Sequence, residues 1–124
     1  MDGSFLRFYV DEKQRHHGVL LWEWLLESAN KMGVRGGSAF RSIGGFGRHH
    51  ALHEDRFFEL AGSTGVEVEF VVDDDESKQL LALIKHEKIR IFYARFPARF
   101  GVVNPDAENA SGIAAEELQA DKLA

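Results

Sequence analysis

The seventeen residues from Phe40 to Arg56 read FRSIGGFGRHHALHEDR and hold three glycines, three arginines and three histidines. Gly44, Gly45 and Gly47 can adopt positive φ and turn successive N–H groups inward, an arrangement that holds anions. Arg41 and Arg48 can offer forked, charge-assisted bonds to phosphate or carboxylate. Phe46 can stack on a base, and His49 and His50 follow directly. The same glycines can instead form a bulge and tight turn at a strand end, with Phe46 as an anchor. Both readings stay open. A third chemistry is metal ligation, since His49 and His53 have the i, i+4 spacing of a helical pair. The segment is not clearly helical, however, and no carboxylate stands at ligand spacing to complete a triad, although Glu54 and Asp55 are near. The chain has six histidines (His16, His17, His49, His50, His53 and His86), and solvated or partner-contacting roles are their commoner use. Any of them can make affinity vary between pH 5 and 8.

Other chemistries find less support. Neither the Walker A pattern nor spaced Rossmann glycines occur. Ser38 and Ser42 lie near histidines, but no nucleophile elbow or evident carboxylate pair accompanies them, so the chain does not read as an enzyme. With no cysteine in 124 residues, disulfides, thiolate nucleophiles and sulfur-rich zinc sites are excluded, which suits a reducing cytosol. The net charge of −5 argues against nonspecific nucleic-acid binding. No apolar run approaches the roughly 20 residues of a membrane span, and MDGSFLRF lacks a signal peptide's basic start and apolar core. The expectation is a cytoplasmic protein that binds no nucleic acid and inserts in no membrane.

The elements that position these residues follow from periodicity. FLRFYV, Phe5 to Val10, alternates as a strand. A polar connection leads to an amphipathic helix over about Val19 to Met32, where Leu21, Leu25 and Met32 line up with Trp22, Leu26 and Ala29. Gly33 ends it. VRGGSAFRSI reads as a second strand despite its glycines, and VEVEFVV, Val66 to Val72, is the clearest strand of all. DDDES opens a second helix whose aspartates cap it and complement its dipole, with Leu80, Leu81 and Ile84 on its apolar face. KIRIFYARF supplies the last strand. RFFELAGSTG is ambiguous between a strand extension and a helical turn.

The order β-α-β-β-α-β predicts an α+β, ferredoxin-like sandwich: a four-stranded antiparallel sheet with both helices on one face. The other face then lacks a cover. It would carry Phe5, Arg7 and Tyr9, then Glu67, Glu69 and Val71, then Arg90, Phe92 and Ala94. Two arginines balance two glutamates there. Scattered aromatics on a solvated sheet need no explanation, whereas a subunit interface would use Phe5, Arg7, Tyr9, Glu67, Glu69, Arg90 and Phe92 together. The sequence divides into a domain over 1–96 and an acidic tail over 97–124. The tail holds five carboxylates against Arg99 and Lys122 and reads as a mobile or partly helical appendage.

Leu6 to Leu60 closely resembles the DUF190 family of PII-like proteins, which are related to the nitrogen-regulatory PII and CutA proteins. The shared tokens are an RFYV-type first strand, HHG before the helix, KMGVRGGSAFR, GGFG, and the His of ALHEDR. With VEVEFVVDDDE and the last helix and strand, the likeness spans about Phe5 to Phe96. It implies a PII-like homotrimer with sheets packed around a central axis. It also implies signalling: a small anionic effector, a nucleotide first among candidates, would bind at an inter-subunit cleft. The loop after the second strand would carry the message to a regulated transporter or enzyme. Three departures limit the transfer. The loop has no tyrosine for uridylylation, LIKHEKIRI has no glycine where PII proteins carry a phosphate-binding loop, and Ser42 replaces the glycine expected in FRGI. A CutA-like metal-binding trimer and a purely structural assembly unit remain the alternatives.

Overall fold

The computed structural model describes residues 1–46 and 65–108. The sheet is built on β1 (Asp2–Asp11), whose alternation buries Leu6, Phe8 and Val10 on one side. A two-residue hairpin follows, β2 (Arg15–His16) and β3 (Val19–Leu20), and leads into helix α1 (Leu21–Lys31). Strand β4 (Gly37–Arg41), strand β5 (Gly65–Val72), helix α2 (Asp74–His86) and strand β6 (Phe92–Arg99) complete the order. The sheet runs β4-β5-β1-β6, antiparallel at every pairing. That order is ferredoxin-like, as the sequence predicts.

One face of the sheet makes the core. Val66, Val68, Phe70 and Val72 from β5 join the β1 residues, and Leu21, Leu25 and Ala29 of α1 with Leu80 and Ile84 of α2 close over them. Both helices therefore cover the same face. Their ends are chemically fixed. Asp73 and Glu76 form a reciprocal capping box at the start of α2, with bonds of 2.8 and 2.9 Å. Gly33 (φ 84°) ends α1 in a Schellman motif, in which Val34 N–H reaches Ala29 O and Gly33 N–H reaches Asn30 O. Lys88 (φ 57°) takes the same left-handed position after α2, with Ile89 N–H bonded to Ile84 O.

Several boundaries differ from the sequence reading. Helix α1 starts at Leu21, because Val19 and Leu20 pair with His16 and Arg15 instead. The last strand begins at Phe92 rather than Lys88, since Ile89 and Ile91 pack against the core from an irregular connection. It then runs through Pro97 to Arg99, past Phe96 where the sequence sets the domain boundary. Proline is tolerated because β6 is an edge strand. Among the described residues, no helix is long and apolar enough to cross a membrane.

Candidate functional site

The helix-free face carries most of the residues singled out for assembly. Phe5, Arg7 and Tyr9 project from β1, and strand register sets Glu69 opposite Arg7 and Glu67 opposite Tyr9. Arg7 Nε donates to Glu69 Oε1 at 2.8 Å. The same guanidinium lies 5.6 Å from the Phe5 ring centre and 5.8 Å from that of Phe96. The Tyr9 and Phe92 rings meet tilted by 52°, with centres 5.6 Å apart. Exposure is high for rings of this size: Phe92 is 71 % exposed, Phe40 52 % and Phe96 48 %. Arg90 lies in the connection before β6, outside the strand the sequence assigns it to. Phe40 from β4 and Phe96 from β6 take places on this face that sequence reasoning missed. The sequence places Phe40 in the second strand, whose glycines leave its two faces undistinguished, and Phe96 depends on the register of a last strand that starts later than the alternation indicates.

The corner beyond β4 is described as far as Phe46. Arg41 is exposed, and its Nε stands 3.1 Å from Glu12 Oε2. Ser42 organises the turn: its backbone N–H donates to Gly65 O, its hydroxyl donates to Gly44 O at 2.7 Å, and that hydroxyl accepts from Gly44 N–H at 3.3 Å. The Gly44 N–H is thus directed at Ser42, which holds the position where a glycine was expected. Ile43 and Phe46 stand open to solvent at 86 % and 62 %. Gly47, Arg48, His49, His50 and His53 lie outside the described residues, so of the residues expected to hold an anion only Arg41, Gly44, Gly45 and Phe46 are described, and His49 and His53 both lie outside them.

A shallow cleft of about 430 Å³ lies at the opposite end of β4, lined by Phe5, Arg35, Gly36, Gly37, Ser38, Glu69, Phe70 and Val71. It draws on the helix-free face and on none of the residues proposed for the effector. Its cation, Arg35, carried no signal beyond its place in KMGVRGG.

A third grouping joins His16 and His17 to Glu87, about seventy positions later. The His16 and His17 Nε2 atoms lie 2.9 and 2.8 Å from the same Glu87 oxygen. These contacts, His16 first, hold the Glu87 carboxyl below its ordinary range. No spacing rule could find it, because the partners come from the hairpin before α1 and the C-cap of α2.

Comparison with known proteins settles the lineage. The profile of DUF190, described as "Uncharacterized ACR, COG1993", matches residues 3–90, well over half of the chain. The chain belongs to the DUF190 family. It is similar to a UPF0166 protein of Aquifex aeolicus (strain VF5), with 31 % identity over 82 residues, covering 66 % of this chain and 78 % of that protein. The DUF190 match takes in β1, both helices, β4 and β5, and it stops just before β6. The family span therefore includes the Arg7–Glu69 pair, the Ser42 corner and the His16–His17–Glu87 group. Phe92 and Phe96, the two most exposed rings of the last strand, fall beyond it.

Proposed function

We propose that this protein is a PII-like regulatory subunit that works as a homotrimer and binds a small anionic effector of nucleotide type. The observation that carries the reading is the helix-free sheet face. Phe5, Tyr9, Phe40, Phe92 and Phe96 surround one paired Arg7–Glu69 bridge there. An aromatic surface of this extent favours a partner. The Arg7 and Glu69 charges at its centre are already paired, which lowers the cost of taking those two out of water. Two further copies of the chain suit such a face, and packing sheet against sheet would bring the ends of β4 beside a neighbouring subunit.

The effector would sit at the corner after β4. Arg41 and Arg48 would hold its charge, backbone N–H groups of Gly44, Gly45 and Gly47 would line the cradle, and Phe46 would lie against its apolar part. His49 and His50 would close the outer side. In this scheme Glu12 competes with the effector for Arg41, and Ser42 competes for the Gly44 N–H. Binding would order the loop and change its affinity for a regulated transporter or enzyme. That switch operates only if the effector discriminates between loop states. The role is one of binding, not catalysis.

A thermal-shift screen of the full chain against nucleotides, carboxylates and divalent metals tests the reading, because a ligand held only by the folded state raises the melting point. A nucleotide should shift it, Arg48→Ala or Arg41→Ala should abolish that shift, and Glu12→Gln should enlarge it. A shift from zinc or copper alone, removed by His49→Ala, would replace this reading with the metal-binding trimer. No shift from any anion would leave an assembly unit without an effector.

A further inference from the structure

Among the described residues, one group of three side chains with metal-ligating atoms converges: His16, His17 and Glu87, whose donor atoms all lie within 4.8 Å of one another. We propose that these three residues form a binding site for a single divalent transition-metal ion of the zinc type. The site is separate from the glycine–arginine corner and independent of any effector there.

The ligand types suit the ion. Two imidazole nitrogens and one carboxylate oxygen are the protein ligands of an open, three-residue zinc site, which leaves a fourth position for water or an exogenous group. Bonds of 2.0–2.1 Å in a tetrahedron put neighbouring donor atoms about 3.3 Å apart. The two His–Glu separations, 2.9 and 2.8 Å, are those of hydrogen bonds to one shared oxygen. A metal ion would replace those two hydrogen bonds, with each histidine nitrogen moving about half an ångström from the Glu87 oxygen; a neutral ring then carries its proton on Nδ1, and only a doubly protonated ring releases one on metal uptake.

The backbone holds the donors in place beforehand. His17 (φ 52°) and Gly18 (φ 81°) are the two central residues of the His16–Val19 hairpin, the positive-φ pair of a type I′ turn. Arg15 Nη1 donates to Gly18 O across this turn. The His16 ring is only 17 % exposed and sits edge-on to Trp24 at 4.8 Å, and it lies 4.0 Å from the His17 ring. Glu87 is the C-cap of α2, where the Schellman motif fixes its backbone. A carboxylate at a helix C-terminus faces the negative end of the dipole, an end that itself favours a cation. The three donors thus come from two well-fixed elements, and the fourth position opens beside His17, which is 68 % exposed.

The test is calorimetric titration of zinc chloride into the full chain after dialysis against a chelator. One ion per chain should bind. Glu87→Gln should weaken binding by at least about tenfold, the scale on which even outer-shell partners of metal ligands act. His17→Asn should do the same, and because asparagine is favoured in a type I′ turn its effect cannot be put down to a lost fold. His49→Ala combined with His53→Ala should leave binding unchanged. Absence of uptake by the unaltered chain would overturn the proposal, as would uptake that survives both His17→Asn and Glu87→Gln.

Discussion

Gly37 offers the sharpest check on how β4 is seated. It pairs with Phe70 of β5, and a Cβ placed on it would lie 2.4 and 2.6 Å from two Phe70 ring carbons and 3.1 Å from a Leu26 methyl. Phe70 is 2 % exposed and cannot swing away. Gly37→Ala must therefore push β4 off the sheet or force Phe70 out of its rotamer, an overpacking cost of about 1–3 kcal/mol. At roughly 3–5 °C per kcal/mol for a chain of this size, the melting point should fall by about 3–15 °C. The neighbouring Gly36 is the control. Nothing lies within 4 Å of its added Cβ, and its φ is not left-handed. Gly36→Ala should therefore be neutral or stabilising by about 0.4–1 kcal/mol through the unfolded chain. Differential scanning calorimetry of the two variants at matched concentration decides the matter. If Gly37→Ala is as stable as Gly36→Ala, the packing of Phe70 and Leu26 beneath β4 is not as described, and the placement of Arg41 and Ser42 at its end loses its basis.

Three further outcomes are expected. Phe92→Ser removes a ring that is 71 % exposed; burying roughly 140 Å² of it at a subunit interface would yield about 3–4.5 kcal/mol per subunit. The midpoint concentration for trimer dissociation, read by sedimentation, should rise by about a hundredfold or more, with the far-ultraviolet spectrum unchanged. Asp73→Ala dismantles the capping box of α2 and should cost about 1 kcal/mol in urea unfolding. Glu87 is held below its ordinary value of 4.5, first by His16 and then by His17. A carboxyl with a depressed folded-state value contributes stability above its unfolded value and loses it as the pH falls through the folded one. The stability gap between the unaltered chain and Glu87→Gln should therefore be fullest above pH 4.5 and close on further acidification, as followed by urea midpoints.

Much of the fold is legible in the sequence because two of its strands bury one face only. Val66, Val68, Phe70 and Val72 alternate with Glu67 and Glu69, and the structure buries the first set while the second stays accessible. The aspartate run before α2 and Gly33 after α1 act as the capping rules predict. Legibility ends where periodicity stops discriminating. Ile89 and Ile91 continue the alternation of Tyr93, yet they pack from a connection rather than from a strand, so the start of β6 could not be read. Val19 and Leu20 look like a first helical turn because a two-residue hairpin has too little length to show a period of its own. The helix-free face follows from topology, which is why Phe5, Arg7, Tyr9, Glu67, Glu69 and Phe92 can be assigned to it from the sequence. Glu87 cannot be placed in the same way, since only the tertiary fold brings the end of α2 to the hairpin before α1.

Light scattering coupled to size exclusion, run on the full chain at micromolar concentration, tests the central claim most directly. Three chains of 14.0 kDa associating through their helix-free faces predict a particle of about 42 kDa, three times the chain mass. A particle of single-chain mass would contradict the account, because the exposed rings of β1, β4 and β6 would then face water and no inter-subunit cleft could exist.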